Sequence, residues 1–160
     1  MKLNHPWLTA FLLFLLAAAP LLAGEKIPPS PPASAKCPVC GMFVSKYPDW
    51  TGVVIFKDGS SFFFDGPKDL FKYYFAMEQY TPDRDRSRVD MFFVKDYYTL
   101  TLIDGGKAFY VVGSDVFGPM GRELVPFSSS TDADAFLKDH GGNRILQFKE
   151  ISPEVLKTLE

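Results

Sequence analysis

The sequence predicts an α+β fold: two small duplicated ββαβ units packed together, preceded by a signal segment and a Pro-rich linker. Short β-rich runs are joined by a hairpin turn signal, helical periodicity follows them, and the order β-β-α-β occurs twice along the chain. Of the 160 residues, 47 % are hydrophobic and 22 % charged, which excludes a disordered or collagen-like polymer and leaves apolar surface for one compact domain or two very small ones. A large multidomain enzyme is excluded.

Residues 1–24 read as an export signal. Lys2 supplies the positive start, residues 8–19 are apolar apart from Thr9, and Pro20-Leu21-Leu22-Ala23-Gly24 follows. The apolar run falls short of the roughly 20 residues of a spanning helix, so cleavage is expected, with an uncleaved membrane tether as the alternative. Leu22-Ala23-Gly24 has the form of a lipoprotein processing box, but the next residue, where the lipid-bearing Cys would stand, is Glu25. Position 25 therefore cannot be lipidated, and the expected location is the periplasm or cell envelope. Residues 25–36 hold Pro28, Pro29, Pro31 and Pro32 and no core-forming pattern, which reads as a linker. The whole chain has 17 Lys+Arg against 19 Asp+Glu, and Lys2 is the only one of these in the first 24 residues, so the mature chain carries about −3. With no basic stripe, no nucleic-acid partner is expected.

The first unit spans residues 37–98. Gly52-Val53-Val54-Ile55-Phe56 and Ser61-Phe62-Phe63-Phe64 are strands that should pair antiparallel across Lys57-Asp58-Gly59-Ser60, where Asp-Gly favours a tight turn. Asp65 is a candidate N-cap ahead of Gly66-Pro67, and Leu70, Phe71, Tyr74 and Phe75 share one face of a helix expected over about 67–77. A polar loop over 81–88 leads to a strand at 91–94. The second unit, 99–160, repeats the order with strands at 108–112 and 123–127, a helix at 131–139 and a strand at 145–148. Both strand-to-helix junctions have an aromatic strand end, a capping residue and an acidic first turn. Units of this size should share an interface.

The mature chain has one His, His140, and two Cys, both in Cys37-Pro38-Val39-Cys40-Gly41-Met42. It has no nucleophile elbow, phosphate loop or zinc-protease motif, its carboxylates read as solvated faces, and no enzymatic activity is expected. Haem attachment requires His after the second Cys, where Gly41 stands. A thioredoxin-like redox pair would open a helix, which Gly-Met after a Pro-rich tether does not. Structural zinc wants four ligands, and one lone His leaves that set incomplete. A disulfide across so small a loop would stabilise little. A soft monovalent ion suits the pattern, because thiolate and thioether are both polarisable donors. Cys40 and Met42 can face one side, and Cys37 can complete a three-coordinate site. A further thioether, Met120, sits in the turn Gly118-Pro119-Met120-Gly121, although a lone loop Met is more often ordinary packing. Met77 and Met91 lie in apolar elements and read as core.

Three motifs stand in order: Cys-x-x-Cys-Gly-Met at the start of the mature chain, Val-Gly-Ser-x-x-x-Gly-Pro-Met-Gly-x-Glu-Leu-Val-Pro-Phe, and Ala-x-x-Phe-x-x-x-His-Gly-Gly. Together they resemble the NosL family of nitrous oxide reductase accessory proteins, over nearly all of residues 36–150. The resemblance implies an envelope Cu(I) metallochaperone of two similar ββαβ units, with nitrous oxide reductase and its membrane maturation complex as partners. It implies Cys40 and Met42 as primary Cu(I) ligands and Met120 as the donor from the second unit, with Cys37 and His140 as further matched positions. Many relatives are lipoproteins, and Glu25 departs from that pattern. A thiol–disulfide oxidoreductase, or a structural envelope protein using the Cys37–Cys40 pair, is the alternative.

Mass spectrometry of the protein purified from the envelope should show no diacylglycerol increment. Lipid on Cys37 would overturn both the linker reading and the free thiol.

Overall fold

The computed structural model describes residues 28–160; the signal segment and residues 25–27 of the linker lie outside them. Nine strands and four helices follow in the order β1 (Gly52–Phe56), β2 (Ser61–Phe64), α1 (Pro67–Phe75), α2 (Met77–Tyr80), β3 (Val89–Lys95), β4 (Leu102–Asp104), β5 (Phe109–Val112), β6 (Phe117–Gly118), β7 (Gly121–Arg122), β8 (Val125–Phe127), α3 (Ser130–Asp139), β9 (Arg144–Gln147) and α4 (Pro153–Lys157). β1, β2, α1 and β3 make the first ββαβ unit, and β5, β8, α3 and β9 the second. All the sheet pairings are antiparallel: one sheet runs β2-β1-β3-β4, the other β8-β5-β9, and β6 with β7 forms a separate hairpin.

The expected helix over 67–77 stops at Phe75 and resumes as a single turn at Met77. β4, which sequence order alone assigned to the second unit, pairs with β3 and extends the first sheet. The linker ends before residue 36, because Val44 N–H donates to the Ala35 carbonyl at 3.0 Å and Lys36 bridges Phe43. Among the described residues no helix is long and apolar enough to cross a membrane.

β1 is an interior strand and buries both faces, which explains its unbroken apolar run. Val54 and Phe56 face the main core, while Val53 and Ile55 join Phe93 on the opposite side. The main core is common to the two units: Leu70, Phe71 and Tyr73 of α1 pack with Tyr110 and Val112 of β5 and Leu146 of β9. The Phe71 and Tyr110 rings meet edge to face at 5.3 Å. The other face of the second sheet buries Val111, Val125 and Phe127 against Ala133 and Phe136 of α3. Met77 is core, as its apolar context predicted.

Asp96 fastens the units at a second place. Its carboxylate accepts the backbone N–H groups of Tyr98 at 3.0 Å and Thr99 at 2.8 Å, in the connection from β3 to β4, and that of Ser128, after β8, at 2.7 Å. Burial alone would raise its pKa, but the N–H donors of Thr99 and Ser128 outweigh burial and hold the carboxyl below the ordinary carboxylate range. A depressed native pKa gives stability that is present above the unfolded value near pH 4 and lost as pH falls further. Asp96→Asn should cost roughly 1–3 kcal/mol at neutral pH, because an amide offers one acceptor oxygen where three N–H groups need two. Thermal melts from pH 7 to pH 3 should show the gap to the parent protein narrowing; a gap independent of pH would remove the ionised carboxylate from the account.

Candidate metal centre

Cys37-Pro38-Val39-Cys40-Gly41-Met42 folds as a tight turn between bridged residues. Cys37 N–H donates to the Met42 carbonyl at 2.9 Å and Gly41 N–H to the Cys37 carbonyl at 2.8 Å. Gly41 takes φ +79°, which an L side chain seldom adopts, so a glycine closes the turn. No α-helix follows; the next element is the single 3-10 turn Val44–Lys46. Backbone N–H groups of Cys40 and Val39 point at the Cys37 sulfur, and that of Met42 at the Cys40 sulfur. Such donors stabilise a thiolate once it forms.

Facing this turn is the start of α1. The sequence casts Asp65 as its N-cap, but the structure corrects this. Gly66 occupies the N-cap with no side-chain hydrogen bond, and the carboxylate of Glu123, from the second unit, accepts the N–H groups of Lys68 and Leu124. Asp65 is thereby free to meet Cys40, whose thiol donates to its carboxylate at 3.3 Å, while the Cys37 thiol donates to Asp69 at 3.4 Å. One ligand atom from each of Cys37, Cys40, Asp65 and Asp69 lies within 4.8 Å of all the others. Cys37, Asp65 and Asp69 are at most 2 % exposed, whereas Cys40 is partly open, so an ion reaches the tetrad past Cys40.

Burial sets the charge state. It drives the Cys37 thiol far above the ordinary range and pushes Cys40 up to about 11, despite the N–H donors aimed at each sulfur. The Asp69 carboxyl is also raised by burial. Both cysteines are free, and as protonated thiols they donate to Asp69 and Asp65.

Of the other expected donors, Met42 is partly buried and its sulfur accepts the Tyr47 hydroxyl at 3.6 Å. Met120 forms the tip of the β6–β7 hairpin with its side chain 45 % exposed, and its carbonyl accepts Lys68 Nζ at 2.5 Å. A Cβ on Gly66 would lie 3.8 Å from Pro119, so the Gly-Pro-Met turn rests on the N-terminus of α1. His140 stands apart from the tetrad, at the C-cap of α3, with Nδ1 2.9 Å from Asp115 and its ring stacked on Phe136.

Asp65 and Asp69 were missed as site residues because each has an ordinary explanation, a cap and a helix-start acid. The available signal was two carboxylates four residues apart at the start of the expected helix, one before it and one in its first turn. They also supply what the zinc argument found lacking, since two thiols and two carboxyls make a full tetrahedral donor count.

The family model described as NosL matches residues 28–156. A copper-binding lipoprotein NosL of Stutzerimonas stutzeri is 32 % identical over 131 residues, which span 78 % of this chain and 65 % of that protein. The crystal structure of the copper chaperone NosL from Shewanella denitrificans superposes with a TM-score of 0.69 at 26 % identity, covering 82 % of this chain and 99 % of that one.

A thiol that titrates near 11 must release its proton to become a ligand. Copper affinity should therefore rise with pH across 6–9, by about tenfold per unit for each thiol deprotonated. Chelator competition at fixed ionic strength measures this, and a flat profile would exclude a thiolate ligand.

Proposed function

The chain belongs to the NosL family, and from that premise we propose that it is an envelope Cu(I) metallochaperone that supplies copper for the maturation of nitrous oxide reductase. The observation that carries the reading is a pair of reduced, carboxylate-paired thiols, open to solvent on one side only, with methionines at the adjacent turn and hairpin. The ion is cargo, and no bond-making catalysis is involved. Soft sulfur ligands select Cu(I) over hard divalent ions. Cys40 and Met42 are the principal donors, with Cys37 beneath them and Met120 from the second unit.

Exchange follows from the burial gradient. Cys37 anchors the ion from the closed side, so a donor from a client arrives at the Cys40 face and displaces the exposed sulfurs first. Export by residues 1–24 would bring this carrier to the periplasm, free or held by an uncleaved signal segment, with Glu25 precluding lipid at that position. The reductase and its membrane assembly are the partners implied by the family. A thiol–disulfide oxidoreductase has less support, because redox cysteines usually have lowered pKa values at a helix N-terminus, and here both are raised and no α-helix follows.

The reduced full-length protein should bind one Cu(I) per chain in competition with a Cu(I)-specific chromogenic chelator. Cys40→Ser should weaken binding at least tenfold to a hundredfold, the scale on which metal sites respond to lost support. Met120→Leu keeps packing volume and removes only the soft lone pair, so it should weaken Cu(I) binding with the apo melting temperature nearly unchanged. Full affinity in Cys40→Ser would end the ligand assignment. In a denitrifying host, deletion of the gene should yield reductase deficient in copper; fully loaded reductase would remove the client.

A further inference from the structure

Two charged residues that play no part as ligands are almost completely buried at the junction of the units: Lys68 is 3 % exposed and Glu123 is 2 %. Burying such groups is costly unless every polar atom is satisfied, and here no buried side-chain nitrogen or oxygen among the described residues lacks a partner. Their partners are specific. Lys68 Nζ donates to the carbonyl of Met120 at 2.5 Å and to that of Leu159 at 3.4 Å. The Glu123 carboxylate accepts the backbone N–H groups of Lys68 and Leu124.

Two glycines make room for that carboxylate. A Cβ on Gly66 would stand 2.6 Å from Glu123 Oε2, and one on Gly118 would stand 3.0 Å from Glu123 Cγ. Glu123 is thus held between the N-cap of α1 and the first residue of the Gly-Pro-Met turn. Capping from the second unit leaves Asp65 facing Cys40. The ammonium of Lys68, one residue before Asp69, holds the turn by the main chain of Met120.

We propose that Lys68 and Glu123 are positioning residues of the copper site, a buried clasp that registers the Met120 turn against the Cys37–Cys40–Asp65–Asp69 tetrad. The inference rests on Met120 acting as a copper donor. The clasp grips the main chain of Met120 and not its thioether, so it fixes the turn that carries the sulfur without supplying a ligand itself.

The experiment is a double-mutant cycle on the reduced full-length protein, with Cu(I) affinity from chelator competition and X-ray absorption at the copper edge. Lys68→Leu keeps an apolar stem in the buried position, removes the ammonium and adds no new soft sulfur donor. It should weaken binding about tenfold in the parent and less than twofold in Met120→Leu, with loss of one sulfur scatterer from the parent's copper spectrum. Lys68→Arg, which restores a cationic donor, should recover most of the affinity and the sulfur. Should Lys68→Leu fold poorly, Gly118→Ala displaces Glu123 from the opposite side and should show the same non-additivity with Met120→Leu. Equal losses in both backgrounds, or an unchanged sulfur count, would overturn the clasp while leaving Met120 a ligand. Parent affinity in Met120→Leu alone would overturn Met120 as a donor, and the clasp's role with it.

Discussion

A helix that starts with glycine and proline needs an acceptor for its first N–H groups, and here the acceptor comes from the other half of the chain. Glu123 accepts the N–H of Lys68 from 55 residues away, where a local cap would ordinarily come from the residue before the helix. Much of the site depends on that substitution. Were Asp65 to cap α1 itself, its carboxylate would turn toward the helix end, and the Cys40 thiol would lose the acceptor it now meets at 3.3 Å. The duplication of two ββαβ units thereby acquires a chemical consequence, since neither unit alone both ends its helix and presents its carboxylates to the thiols.

The electrostatics of the junction favour a cation. Asp65, Asp69 and Glu123 are buried close together, with Lys68 as the buried positive group beside them. Burial raises Asp69 and Glu123 above their ordinary carboxylate range, the expected response when like charges are removed from water. Thiols that stay protonated keep this cluster from gaining further negative charge. A bound cation would supply the positive charge that lets a thiol ionise, so metal binding and proton release would be coupled by the same desolvation.

The ββαβ repeat was legible because it depends on local patterns: short apolar runs in β1 and β2, the Asp58-Gly59 turn, and an apolar stripe on α1. The two cysteines of the tetrad were legible for a different reason, since sulfur chemistry narrows a short motif to few uses. What sequence order concealed is long-range. β4 lies beyond residue 98, where sequence order begins the second unit, yet its partner is β3, and pairing across a connection is decided by which sheet edge is open. Asp65 misled because its position before Gly66-Pro67 matches a local capping pattern, and the competing cap, Glu123, lies in a stretch that reads simply as a strand start.

The placement of exposed and buried donors gives the site a direction. Cys37, Asp65 and Asp69 form its closed floor, and Cys40 stands at the open side. An ion held only by the floor would be trapped, and one held only by exposed sulfurs would be lost to any competing thiol. With one buried and one accessible thiol, the proposed carrier role would let the accessible bond be replaced while the buried one persists, so that copper passes through a shared-ligand state and need not enter solution. Protonation works in the same direction. In that proposed role the Cys40 sulfur, once reprotonated, would regain its hydrogen bond to Asp65, and the recovered contact would offset part of a bond given up to a client.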